Sequence, residues 1–271
     1  MSAFAHAGWN FLAKRSDDKL VFSWCFSLLA SLGLLPFAVL SWIGADVPAQ
    51  GALILLVTMT IHVAYFFLLN RAYTVGEFSL VYPTARGVGV LLIPLGGVMI
   101  LGEQISLPAA AGVAMILMGV LVTRTGNKGR APITKAVSLA VLTGVTIASY
   151  TLWDKWALSH VTPLMLNHSV FLAQAIVALP IVLARKPALA IELKERKWAI
   201  VAAAILAPAA YLLVLTALTF SRASYIGPMR EVSIVIGAVL GAVLLKESSG
   251  PRRVAGAALI VIGVLVLALS P

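Results

Sequence analysis

The sequence predicts an all-α integral membrane protein of ten transmembrane helices, arranged as two inverted five-helix repeats with a short first helix. Three observations predict it. Of 271 residues, 61% are hydrophobic and only 11% are charged, whereas a soluble domain carries about 25% charged residues. Uncharged runs fill 20–43, 87–102, 200–221 and 254–271, near the roughly 20 residues that cross a hydrocarbon core of about 30 Å. Basic residues and short motifs then recur along the chain in a pattern that orients these runs and divides them into two halves.

Ten hydrophobic segments follow in order: 1–13, 20–43, 51–69, 78–101, 107–123, 133–153, 163–184, 198–220, 224–245 and 254–269. Backbone in hydrocarbon must satisfy its own hydrogen bonds, so each is read as a helix. None shows the alternation of a membrane barrel strand. The first segment rises only about 20 Å as a helix, short for a full crossing. It lacks a basic leader and a cleavage site, so no cleavable signal is expected. Trp24, Trp42, Trp153, Trp156 and Trp198 fall near segment ends, where an interfacial aromatic belt would sit. The connectors are short, and the two longest, 124–132 and 185–197, are too small to be domains. Cys25 lies in an apolar run and reads as a small buried hydrophobe.

The net charge of +10 does not indicate a nucleic-acid partner. Lys14, Arg15 and Lys19 occupy the first connector and Arg71 the third. Arg124, Lys128, Arg130 and Lys135 lie at the fifth. Arg185, Lys186, Lys194, Arg196 and Lys197 fill the seventh, and Lys246, Arg252 and Arg253 the ninth. Sixteen of the 20 Lys and Arg residues therefore belong to odd-numbered connectors, and even ones claim at most Lys155 and Arg222. The positive-inside rule places odd connectors in the cytoplasm of a cell inner (plasma) membrane, with both termini outside.

The two halves repeat at an offset of about 145 residues. Ser79-Leu-Val-Tyr-Pro83 aligns with Ser224-Tyr-Ile-Gly-Pro228, and Gly102-Glu103 with Lys246-Glu247. Gly112 and Gly119 align with Gly256 and Gly263. Ala7–Lys14 aligns more weakly with Ala148–Lys155. Residues 1–123 form the first repeat, 124–132 a basic connector and 133–271 the second repeat. Five spans per copy is odd, so the second copy must be inverted. Equivalent connectors exchange their positive charge accordingly, and inverted repeats are a hallmark of transporters with alternating access around a midplane site.

These features resemble the EamA type of the drug/metabolite transporter (DMT) superfamily. Each half ends in a Glu-containing turn and a Gly-spaced last helix, Gly102-Glu103…Gly112…Gly119 and Lys246-Glu247…Gly256…Gly263. The opening His6-Ala-Gly-Trp-Asn10…Lys14 is similar to the first-helix pattern of one EamA branch. The resemblance implies secondary transport of small metabolites, commonly export of amino acids or related compounds. It also implies that the fourth and ninth helices line a central cavity. Family members often have cytoplasmic termini, opposite to the orientation read from the charges here.

Ionisable residues inside a membrane are costly and mark function by default. Arg86 lies about 12 Å into the fourth span, and Arg230 and Glu231 about 10 Å into the ninth. Pro83 and Pro228 precede them at equivalent positions. Each proline removes a helix hydrogen bond, freeing the carbonyl of Ser79 or Ser224, and kinked helices at repeat-related positions point to a transporter site. In one reading Arg86 or Arg230 binds an anionic substrate group, and Glu231 takes an amine or a coupling proton. In the other, Arg86 pairs with Glu231 and Arg230 snorkels to the interface.

Tyr82 shares a face with Arg86, and His62 with Tyr65. Tyr211 sits beside Pro208. Trp9, Asn10, Tyr150 and Thr151 are expected to face inward, and Asn167 and His168 open the seventh span. Packing or interface anchoring competes with a site role for each of these. Asp154-Lys155, near a span end, reads as a solvated pair. The spaced glycines, including Gly237-x-x-x-Gly241, pack the halves together or form a homodimer.

No nucleotide-binding loop, metal-ligand spacing or serine elbow occurs, so no cofactor or metal is expected and an enzyme is not. The expected partners are the lipid bilayer and a small-molecule substrate. A membrane sensor or partner protein that transports nothing, or an intramembrane enzyme, is the alternative reading.

Overall fold

A computed structural model describes residues 1–44, 49–76, 78–124, 133–233, 235–236 and 251–270. Among these, the chain is helical throughout: α1 Ser2–Arg15, α2 Lys19–Ile43, α3 Gly51–Val75, α4 Phe78–Leu101, α5 Leu107–Arg124, α6 Ile133–Ala157, α7 Pro163–Leu183, α8 Lys186–Glu195, α9 Lys197–Phe220, α10 Ala223–Met229 and α11 Pro251–Ala268. Six helices are long and apolar enough to cross a membrane, namely α2, α3, α4, α6, α7 and α9. The apolar parts of α5 and α11, Leu107–Val122 and Ala255–Ala268, are shorter. Large apolar side chains such as Leu32, Phe37, Leu40, Met99, Ile100 and Ile205 stay on the outside, a surface that suits lipid and not water.

Helices occupy the predicted segments where these are described, with local corrections. The ninth segment, read as one span over 224–245, breaks after Met229. Pro228 has no N–H, and the chain tightens: the Arg230 N–H reaches both Ile226 and Gly227 carbonyls at 3.3 Å, and the Glu231 N–H takes the Pro228 carbonyl at 3.0 Å. This short-range bonding is typical where an α-helix is interrupted. α4, by contrast, continues as one helix through position 83. The connector 185–197 contains a ten-residue helix, α8. Trp24 is buried, its indole N–H donating to the Ala175 carbonyl at 2.8 Å; it fastens α2 to α7 and is no belt residue. Trp153 likewise donates to the Ile54 carbonyl, while Trp42, Trp156 and Trp198 are exposed. Lys128, Arg130, Gly237, Gly241, Lys246 and Glu247 lie outside the described residues.

The chain forms two compact units, residues 1–74 with 153–219, and residues 75–152 with 220–271. Each takes helices from both sequence halves. In the first unit α2 packs on α7, and in the second α4 packs on α10 and α5 on α11. All three pairs join segments that the repeat expected from the sequence would make equivalent.

In the second unit the spaced glycines meet one another. A Cβ at Gly112 would stand 2.8 Å from the Gly263 carbonyl oxygen, and one at Gly119 2.7 Å from that of Gly256. Position 112 faces 263 while 119 faces 256, so α5 and α11 run antiparallel with their backbones in contact. At the other end of this unit, Gly102 adopts φ +67°, and the Glu103 N–H donates to the Gly97 carbonyl at 2.9 Å. This is a helix-terminating turn that a left-handed residue permits. It aims the Glu103 carboxylate at the start of α10, where it accepts from the N–H groups of Ala223 (2.7 Å) and Ser224 (2.9 Å).

In the first unit α8 is held against the α1–α2 turn. Glu192 is fully buried, and its Oε1 accepts from the Asp17 and Asp18 N–H groups, both at 2.8 Å. Arg185 pairs with Asp18 at 2.9 Å and Arg196 with Asp17 at 3.4 Å. Asp18 also caps α2 through the N–H groups of Leu20 and Val21. A cavity of about 540 Å³ opens here, lined by residues that include Asp17, Asp18, Lys19, Arg71 and Arg185.

Burial pushes the Glu192 carboxyl above the ordinary carboxylate range, against the opposing pull of the Asp18 and Asp17 N–H donors. The folded state therefore binds this proton more tightly than the unfolded state. The associated stability is fully present below the unfolded value and is lost as pH rises through the folded one. Glu192→Gln should flatten that decline and melt higher than wild type at pH 8. Equal slopes for the two proteins in pH-dependent melting would show that Glu192 does not titrate in this range.

Candidate functional site

The second unit gathers five of the predicted residues. Tyr82 and Arg86, four apart on α4, stack ring against guanidinium at 5.3 Å. Arg86 Nη1 lies 3.4 Å from Glu231 Oε1, and both side chains are buried. Tyr82 donates its hydroxyl to Ser233 Oγ at 3.0 Å. Arg230 does not snorkel: it is 7% exposed, and its Nη2 reaches the Tyr150 hydroxyl of α6 at 3.5 Å. The interruption at Pro228 explains how two successive charged residues are both buried. A regular helix would separate them by about 100°, whereas the tightened turn retracts both. Glu231 Oε2 has no hydrogen-bond partner among the described residues. Among the described residues the cluster brings two guanidinium groups, which keep their protons, together with the Glu231 carboxylate.

The first unit holds a second cluster, around a residue misread from the sequence. Asp154 is no solvated partner of Lys155. It is fully buried, and its Oδ2 accepts from the Tyr211 hydroxyl at 2.6 Å and its Oδ1 from Thr58 Oγ1 at 3.0 Å. His62 Nε2 stands 3.8 Å from Oδ2, and its ring lies 5.1 Å from that of Tyr211. Lys155 turns away and donates to the Leu218 carbonyl at 2.7 Å. The physical reason is that α6 continues to Ala157, so Asp154 lies within the helix and not past its end. The signal was present: Trp156, Ala157 and Leu158 continue the apolar character beyond Asp154.

Other predicted residues of this unit make contacts of their own. Asn10 donates to the His6 carbonyl and accepts from the Tyr73 hydroxyl at 2.9 Å. Lys14 donates to the Tyr73 carbonyl. Trp9 packs on Phe26 with centroids 5.8 Å apart. Asn167 donates to the Pro208 carbonyl at 2.9 Å, its Oδ1 unbonded among the described residues, as is His168 Nε2. Tyr65 is half-buried; in the second unit, Thr151 donates to the Ile147 carbonyl of its own helix.

A family model described as the EamA-like transporter family matches residues 134–269. Among solved structures, one titled only "Crystal structure of protein" aligns with a TM-score of 0.77 over 98% of this chain and 93% of its own, at 17% identity; that likeness is one of fold. A search of curated proteins found no match.

Proposed function

This chain belongs to the EamA-like transporter family, and from that premise we propose that it is a secondary transporter that exports amino-acid-like or other anionic and zwitterionic metabolites by alternating access. The observation that carries the substrate class is the second unit's cluster of buried charged side chains, Arg86, Arg230 and Glu231. A carboxylate or phosphate on the substrate suits the charge-assisted hydrogen bonds that guanidinium groups donate. Glu231 Oε2, which has no donor among the described residues, suits an ammonium. Burial makes each such match strong, since an unmatched charge in hydrocarbon is costly.

We further propose ten crossings in two inverted halves, with odd-numbered connectors in the cytoplasm of the inner membrane. The antiparallel seating of α5 on α11, and the pairing of other repeat equivalents, support the inverted halves. Contacts also support the span count. The first, third and seventh connectors must share a side, and Asp18, Arg71 and Arg185 line one cavity.

Thermal stabilisation of purified protein by a panel of amino acids, organic acids and organic cations tests the substrate class. Amino acids or organic acids should raise the melting temperature, and the stabilising compounds should leave proteoliposomes down their gradient. Stabilisation by organic cations alone would overturn the anionic and zwitterionic assignment.

A further inference from the structure

The buried carboxylates Glu231 and Asp154 differ in what faces them. Glu231 is opposed by Arg86, whose guanidinium does not deprotonate. Asp154 is faced by a histidine and two hydroxyl groups. Thr58 and His62 face it from α3 and Tyr211 from α9, while Lys155, its neighbour on α6, is committed to the Leu218 carbonyl. From α7, Met165, Leu166 and Val170 join the apolar cluster that contains Tyr211. The titratable residue of α7, His168, leaves its Nε2 unbonded among the described residues.

The tautomer of His62 follows from its bonding. Nδ1 lies 3.0 Å from the Thr58 carbonyl, which only accepts, so Nδ1 carries hydrogen. The nitrogen left to gain or lose a proton is Nε2, and it is the one 3.8 Å from Asp154. Two hydroxyl donors hold the carboxylate in place, so proton binding at Nε2 converts a single buried negative charge into a neutral ion pair. A fully buried site of this kind changes net charge with each proton, and buried charge is what ties protonation to conformation in a membrane carrier.

We propose that His62 and Asp154 form the proton-coupling site of this transporter, one proton being exchanged per transport cycle. The proposal rests on the transport reading above. In the loading step a hydronium ion on one side breaks an O–H bond and becomes water as an N–H bond forms at His62 Nε2. In the unloading step that N–H bond breaks and the proton passes to water on the other side. Tyr211 and Thr58 are positioning residues that keep the carboxylate aimed at the ring.

Two measurements test it on the full-length protein in lipid. In ¹⁵N-histidine NMR, with His62→Gln providing the assignment, the His62 Nε2 signal should pass from neutral ring to imidazolium between about pH 5 and 9, the range in which histidine titrates. Asp154→Asn should displace that midpoint. A ring that keeps one protonation state across the range, or a midpoint indifferent to Asp154→Asn, overturns the site whatever the flux.

In proteoliposomes loaded with radiolabelled amino acids and a pH dye, wild-type efflux should acidify or alkalinise the lumen. Asp154→Asn should lower net efflux about tenfold, within the usual range for coupled ligands, while amino-acid counterflow continues. Tyr211→Phe, which keeps the ring and removes one donor, should shift the pH profile of efflux. Wild-type efflux without a pH change would overturn coupling and leave transport standing. Absence of any efflux would overturn amino-acid export, and the NMR titration would still decide the proton site.

Discussion

Arg86→Ala should destabilise the protein by about 3–5 kcal/mol, the usual effect of leaving one member of a buried ion pair alone, and should abolish transport. Its partner Glu231 would remain buried with its only close guanidinium contact described in the structure, at 3.4 Å, removed. Stability and function are separable by a second change. Replacing both residues with methionine removes the stranded charge, and apolar replacement of a buried pair is often neutral. The double variant should therefore melt close to wild type and still fail to transport anionic or zwitterionic compounds. If it transported them normally, Arg86 and Glu231 would be a fastening between α4 and the segment after α10, and the substrate would bind elsewhere.

Gly119→Ala should clearly destabilise the second unit. The new Cβ would stand 2.7 Å from the Gly256 carbonyl oxygen and 2.9 Å from the Ile260 amide nitrogen. Those are backbone atoms, so no rotamer change relieves the clash and α5 must move off α11. Overpacking of this kind costs about 1–3 kcal/mol. Gly112→Ala meets the Gly263 oxygen at 2.8 Å and should behave alike, whereas Gly33 has open space around it and should accept alanine. Melting temperatures in detergent give the comparison. A Gly119→Ala protein as stable as Gly33→Ala would mean that α5 and α11 do not approach at their glycines.

Much of this fold could be read from the chain, because hydrocarbon imposes long uncharged runs and the runs are easily bounded. Phe78–Leu101 matched its predicted limits. The glycine repeat on the fifth and tenth segments was visible as a spacing, but only coordinates could choose between a partner in the same chain and one outside it. What escaped reading was each place where a local rule is overridden by tertiary contact. Asp154 looked like a helix end because a charge follows Trp153, yet two hydroxyl donors and a histidine make its burial tolerable. Glu103 stood in a recognisable turn, and nothing in its spacing revealed that it caps a helix 120 residues away. The seventh connector hid α8 because its polar composition matched a loop, whereas Glu192 gives it a buried anchor. For the candidate site, the charged residues themselves were legible. The turn that buries both Arg230 and Glu231 was foreshadowed only by Pro228.

The joint between the α1–α2 turn and α8 also sets an order of events during synthesis. Asp17 and the Glu192 that binds it are 175 residues apart. At the usual 5–20 residues per second, about 10–35 s separate their emergence from the ribosome. For that interval the first three helices must reside in the bilayer without the element that closes their charged end. The first unit is thus assembled by capture of an early hairpin by a late helix, and a nascent chain arrested before residue 192 carries the α1–α2 turn in an unlatched form.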